Sequence, residues 1–274
     1  MNGLPQTRML HFDDSASRQT SNVLRLLLLS VIFCLSSSLA TAAEPGAHER
    51  AFVKALERFD QAKTPDDYRA SARELESIVA DGVHSGAVYY NLGNAWFRAG
   101  EFGRAILNYR KAKPYRPRDP YLAANLQQAL ASAPGRLPDP PAPWWSHVLF
   151  WTDWFSASTK ILLASCSLCL SAMLFVFAIM MRRKSLIFSM AVVLVFGIAL
   201  SAECLLNDPA RASRAVIVTE TTARKGTGKD YEPAFDQPLR DGAEFTVLTE
   251  TSDYFFGHFE GIGDGWVRKE DVAR

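Results

Sequence analysis

The spacing of hydrophobic positions changes character along this chain. From Ala47 to Lys63, Phe52, Val53, Leu56 and Phe59 recur at helical intervals. Thr64-Pro65-Asp66 then stops one helix and caps the next, which carries Tyr68, Ala72, Leu75, Ile78 and Val79 on one face. Between Tyr89 and Pro117 the pattern predicts two more helices with a tight turn at Gly100. Asp119-Pro120 opens a last amphipathic helix, Tyr121 to Ala131, with Leu122, Leu126 and Leu130 inward. The pattern then becomes continuous. Ile161 to Met181 and Leu186 to Leu206 are apolar runs of 21 residues each. At about 1.5 Å per residue, either crosses a hydrocarbon core of about 30 Å. Beyond Arg214 the runs shorten and turn β-rich, predicting strands at Ala215–Thr219, Glu244–Thr249 and Tyr254–Phe259, with turns at Gly226, Gly228, Asp241-Gly242 and Gly261 to Gly265. A final Gly265-Trp266-Val267 leads into a short helical turn, Lys269 to Val272.

The third and fourth helices carry a specific set of residues: Tyr89, Leu92, Gly93 and Trp96, then Ala105 and Tyr109, then Pro117. This resembles a tetratricopeptide repeat, with Trp and Tyr exchanged at two aromatic positions. Gly93 and Ala105 are small enough for two helices to cross closely, and Tyr89, Trp96 and Tyr109 fill the space around the crossing. Pro117 is expected to end the second helix. The preceding pair reads as a degenerate repeat and the last helix as the cover of the stack. In such a stack the first helix of each pair lines the concave face. That turns Tyr90, Asn94, Phe97 and Arg98 toward a groove, with Asn125 and Gln128 beside them. Amides offer both a donor and an acceptor to a peptide backbone, and Arg98 offers a fork for a carboxylate. The alternative is that Asn94 merely bonds neighbouring helices and Arg98 is a solvated charge.

Charge placement gives a topology. Arg182-Arg183-Lys184-Ser185 is all that separates the apolar runs, and three adjacent cations favour the cytoplasmic side. The runs then form a hairpin with both soluble regions outside the cytoplasm; Lys160, Arg211 and Arg214 weigh mildly the other way. At the N-terminus, Arg25, the apolar Leu26 to Leu35 and Ala40-Thr41-Ala42-Ala43 have the order of a secretory signal peptide, with an uncleaved anchor from Val23 to Leu39 as the alternative. Either leads to the same placement. Before the first span lies a proline-rich linker, Pro138 to Pro143, followed by Trp144, Trp145, Trp151 and Trp154. Indole rings favour the headgroup layer, so this stretch is expected to be an interfacial helix on the lipid bilayer.

Composition narrows the chemistry. A formal net charge of +1 gives no basic domain for nucleic acid. All four cysteines, Cys34, Cys166, Cys169 and Cys204, fall in apolar runs, which leaves no disulfide framework for the soluble parts. The C-x-x-C of Cys166 and Cys169 has no basic neighbour to activate it and is expected to be membrane packing. The five histidines are scattered, and Gly226-Thr227-Gly228-Lys229 lacks P-loop spacing. No catalytic residue, metal site or cofactor is expected.

The resulting fold class is a multi-domain membrane protein: a signal at 1–43, an all-α helical repeat at 44–133, a linker and interfacial segment at 134–158, spans at 159–181 and 186–206 around a cytoplasmic turn at 182–185, and a small all-β barrel at 214–274. The barrel, with Thr222 to Gly226, Gly242 and Gly265-Trp266-Val267, resembles bacterial SH3-like domains, in which that Trp packs across the barrel; Trp266 is expected in the core, with a ligand platform as the alternative. Tyr254-Phe255-Phe256 stands where many members carry a Trp pair. The whole arrangement, with Tyr89-Tyr90-Asn91-Leu92-Gly93-Asn94-Ala95, Ala105-Ile106-Leu107-Asn108-Tyr109 and Pro117-Arg118-Asp119-Pro120, resembles the BatE-like proteins of the Bacteroides aerotolerance operon. That resemblance implies a non-catalytic scaffold in a bacterial inner membrane, with von Willebrand A-domain membrane proteins and a MoxR-type ATPase as partners. The alternative is a cell-wall sensor whose barrel grips peptidoglycan.

Overall fold

Local capping chemistry sets the helix boundaries. The computed structural model describes residues 46–139, 154–206 and 214–274. The signal segment and Trp144, Trp145 and Trp151 lie outside the described residues. Helices α1 (Ala47–Gln61), α2 (Pro65–Ala80), α3 (Gly86–Arg98), α4 (Phe102–Ala112) and α5 (Pro120–Ser132) follow one another, each packing on the next. At α2, Thr64 and Asp67 form a reciprocal capping box: the Asp67 N–H donates to Thr64 Oγ1 at 3.3 Å, and the Thr64 N–H donates to Asp67 Oδ2 at 2.9 Å. The Lys63 and Thr64 donors hold the Asp67 carboxyl below its ordinary range. Asp119 caps α5 by accepting from the Tyr121 and Leu122 N–H groups. Helices α2 and α3 both end in a Schellman turn on a left-handed glycine, Gly82 at φ 89° and Gly100 at φ 81°.

The helical core is built around one close crossing. Tyr89, Trp96 and Tyr109 are buried with Leu75, Ile78, Leu92, Ile106, Leu126 and Leu130. Full burial of such side chains contributes about 1.5–3 kcal/mol each. A Cβ added to Gly93 would lie 2.6 Å from the Tyr109 ring, so the ring occupies the place of a side chain at Gly93. Pro117 does not end α4. The helix stops at Ala112, because Pro114 has no N–H to give the Arg110 carbonyl, and Pro117 stands in the turn that follows.

Helices α6 (Ala157–Met181) and α7 (Lys184–Leu206) are long and apolar enough to cross a membrane. Ser156 caps α6 through the Thr159 N–H, which starts that helix a turn before the apolar run. The link between them is tighter than the four residues expected: Arg182, at φ 51°, and Arg183 complete it. Small residues line the α6–α7 contact, including buried Ala164, Ser171 and Ala178, whereas Phe175, Ile179, Phe188 and Val195 are exposed. That much exposed apolar surface suits lipid and not water.

The C-terminal lobe is a five-stranded antiparallel sheet of β1 (Arg214–Ile217), β2 (Glu244–Glu250), β3 (Tyr254–Phe259), β4 (Gly263–Arg268) and β5 (Val272–Ala273), ordered β4-β3-β2-β1-β5. The pairing of β2 with β3 shifts register between Val247 and Thr249, an irregularity of the kind that bends a strand. Arg224, on the chain leaving β1, exchanges two backbone bonds with Trp266 of β4 and joins that edge to the rest. Phe245, Phe255, Phe259 and Val267 form the core of this lobe. The alternation that buries Val267 turns Trp266 outward, against Phe256 at 5.0 Å. Trp266 is therefore half-buried on the outer face and not in the core, where it was expected; this is the placement that the ligand-platform alternative needs.

The two lobes touch. The Gly103 N–H, at the start of α4, donates to Asp241 Oδ1 at 3.0 Å, and the Gly135 N–H donates to the Asp241 carbonyl at 2.9 Å. Arg110 grips Glu244 through Nε at 3.1 Å and Nη2 at 3.0 Å, and Nη2 also reaches Asp139. A Cβ on Gly103 would lie 2.5 Å from both Asp241 Oδ1 and the Ile217 carbonyl, so the seam admits only glycine there.

Candidate functional site: a donor-rich groove on the helical lobe

Helices α3 and α5 lie side by side with their amide-bearing stripes facing one another. Between them opens a cavity of about 460 Å³ lined by Phe59, Asn94, Phe97, Arg98, Tyr109, Asn125 and Gln128. Five of the six groove residues read from the sequence meet here. Tyr90 is the exception. Its hydroxyl accepts from Asn125 Nδ2 at 3.1 Å, and the Arg116 guanidinium covers its ring at 4.5 Å. It lies one turn back from Asn94 and supports the groove wall.

A small network orients the amides. Asn94 Oδ1 accepts from the Tyr109 hydroxyl at 2.9 Å and from Asn125 Nδ2 at 2.9 Å. Burial pushes the Tyr109 phenol well above its ordinary value, which keeps the hydroxyl protonated as a donor. With Asn94 Oδ1 filled from the protein side, the Asn94 amide N–H groups, the Asn125 carbonyl and the Gln128 amide have no hydrogen-bond partner among the described residues. Asn94 thus bonds neighbouring helices, the alternative read from the sequence, while its own amide N–H groups stay unpaired among the described residues.

The charge in the groove has one sign. Arg98 rests 5.9 Å from the Tyr68 ring, with no carboxylate partner among the described residues, and no acidic residue lines the cavity. Phe59 and Phe97 supply apolar walls, Phe97 braced edge-on against Phe102 at 5.6 Å. Chemically the arrangement suits an extended chain with amide groups for Asn94, Asn125 and Gln128, an apolar side chain between the phenylalanines and a carboxylate on Arg98. Phe59 and Tyr109 carry no sequence signal for this role, since both read as inward-facing core.

A second concavity, of about 340 Å³, lies on the sheet lobe and is lined by Glu220, Thr221, Thr222, Arg224, Lys229, Tyr254, Trp266 and Arg268. The lining combines two aromatic rings, Tyr254 and Trp266, with the cations Arg224, Lys229 and Arg268 and the single acid Glu220. Arg268 is paired with Glu270 and Asp271, whereas Lys229 has no ion-pair partner among the described residues. Trp154 is exposed at the root of α6, under the Arg118 guanidinium at 5.4 Å. Cys166 and Cys169 are exposed thiols on α6, and among the described residues no group of His, Cys, Asp and Glu converges for a metal ion. Comparison of the chain with protein-family models, with curated proteins and with solved structures yields no match.

Proposed function

We propose that this protein is a non-catalytic, membrane-anchored scaffold whose helical lobe, a tetratricopeptide-type stack, holds an extended segment of a partner protein. The observation that carries the reading is the groove: spare amide donors and acceptors, two phenylalanines, and one guanidinium with no carboxylate partner among the described residues. Gathered on the lining of one cavity, these groups can meet the amides, the apolar side chain and the carboxylate of one ligand together.

The lobe-to-lobe seam supports the topology. If α6 and α7 span the bilayer, a sheet lobe bonded to α4 through Asp241 and Glu244 requires both ends of the hairpin on one side. With Arg182, Arg183 and Lys184 at the tip, the favoured side for both lobes is extracytoplasmic, at a bacterial inner membrane. The resemblance to BatE-like proteins names the partners to test first, von Willebrand A-domain membrane proteins associated with a MoxR-type ATPase.

The test is co-precipitation of such a partner by full-length protein and its groove variants. Arg98→Glu and Phe97→Ala are expected to weaken capture by about tenfold or more, the scale of a truncated interface anchor. Tyr90→Phe, which keeps the ring and removes only the bond to Asn125, is expected to cost less. Undiminished capture by an Asn94→Ala, Phe97→Ala, Arg98→Glu variant with an unchanged thermal melt would refute the groove as the binding site.

The outward turn of Trp266 favours a second reading. An SH3-like lobe whose concavity is lined by Trp266, Tyr254, Lys229 and Arg224 suits an acidic cell-wall polymer, with the protein acting as a sensor. Retention on purified peptidoglycan that Trp266→Ala abolishes would favour it. Equal retention of parent and variant, or none of either, would count against it.

A further inference from the structure

A basic and aromatic patch stands where the helical lobe meets the root of α6. Trp154 lies just before the Ser156 cap, 53% exposed, and the Arg118 guanidinium rests 5.4 Å from its ring. Tyr121, at the start of α5, is 73% exposed. The outward face of α5 carries Ala123, Ala124, Gln127 and Ala131, and the whole helix lacks a charged side chain. Lys113 and Arg118 on the α4–α5 turn are exposed, whereas the charge of Arg116 is already paired with Asp119.

An aqueous helix face is ordinarily charged, and this one is not. Tyr and Trp settle at the headgroup layer, where ring and polar tip both find partners, and nearby Lys and Arg are drawn to lipid phosphates. We propose that the α4–α5 turn and the outward face of α5 lie on the headgroup layer of the bilayer that α6 enters, with anionic lipid phosphate held between Lys113 and Arg118. This rests on α6 and α7 crossing the membrane, and continuity from Trp154 into α6 is what puts the patch at the surface. Tyr121, Asn125 and Gln128 share one stripe of α5, so a lobe resting this way holds its groove beside the bilayer.

The test uses full-length protein with its native cysteines replaced, spin-labelled at Ala124→Cys, Val195→Cys or Ile262→Cys and reconstituted in nanodiscs. Collision with oxygen and with a water-soluble nickel chelate reports the depth of each label. In discs containing phosphatidylglycerol, the label at 195 is expected in the hydrocarbon core, at 262 in water and at 124 at headgroup depth. Lys113→Glu with Arg118→Glu is expected to return the label at 124 to the aqueous value without moving the one at 195, and discs of phosphatidylcholine alone are expected to shift it part of the way. A label at 124 as accessible to nickel as that at 262, with 195 in the core, overturns the proposal and leaves the spans intact. A label at 195 in water overturns the membrane reading itself. Headgroup depth at 124 that neither charge reversal nor neutral lipid alters removes the phosphate contact.

Discussion

Replacing Gly93 with alanine tests the central crossing, because two effects of opposite sign compete there. On an open helix face, Ala in place of Gly stabilises by about 1 kcal/mol. Here the new Cβ would lie 2.6 Å from two Tyr109 ring carbons and 3.1 Å from a third, well inside ordinary contact. Tyr109 is 1% exposed, so the ring can retreat only by displacing packed neighbours. Overpacking of this kind costs about 1–3 kcal/mol. A tilted ring also carries its hydroxyl away from Asn94 Oδ1, now 2.9 Å distant, a loss of about 1 kcal/mol. The sum, less the propensity gain, is roughly 2 kcal/mol of destabilisation. With the helical lobe, Ala47 to Ser132, melting as one unit, that lowers its Tm by about 8–16 °C. The assay is thermal melting of full-length protein in detergent, followed by circular dichroism. Tyr109→Leu, which shortens the side chain opposite, should partly rescue the alanine variant, with a coupling of about 1 kcal/mol or more in a double-mutant cycle. A Gly93→Ala protein that melts at or above the parent would refute the close crossing and count against the proposed tetratricopeptide-type stack.

The lobe seam gives two further predictions. Arg110→Ala removes the fork on Glu244 and leaves that carboxylate, 21% exposed, without its counter-charge; the seam should weaken by about 1–2 kcal/mol, measured as faster hydrogen exchange across 134–139 and a non-additive cycle with Glu244→Ala. Burial raises the Asp241 carboxyl above its ordinary value, against the lowering pull of the Gly103 and Phe102 N–H groups. Docked Asp241 therefore holds its proton more tightly than undocked, so its contribution is greatest below the ordinary carboxylate range and falls as pH rises through the raised value. Asp241→Asn keeps an oxygen for Gly103 and should flatten that dependence, seen in melts across the acid range; an unchanged pH profile would show that Asp241 is not the group responsible. For topology, a reporter active only outside the cytoplasm should work when fused after Ala133 or after Arg274 and be silent between Arg182 and Arg183; activity at the hairpin tip would reverse the placement of both lobes.

Much of the local structure was legible before folding because its causes are local. Thr64 with Asp67, Gly100, and Asp119 before Pro120 are interactions within a few residues, and each marks a helix boundary without reference to the rest of the chain. The two apolar runs are equally self-contained, since length and continuity alone make them suited to lipid. The groove was half legible: Asn94 and Arg98 share a helical stripe, but a stripe does not say which neighbour closes over it. Tyr90 gave way to Phe59 as a lining residue because α1 closes one wall while Asn125 and Arg116 occupy Tyr90. Trp266 turned outward because strand faces alternate, so one residue of register decides between core and surface. The seam had no sequence signature at all. Gly103 and Asp241 are 138 residues apart, and neither a glycine at a helix start nor an aspartate in a turn has any periodicity to betray its partner. Local chemistry thus sets the elements, while the joining of the lobes depends on shape and charge that meet only once both have folded.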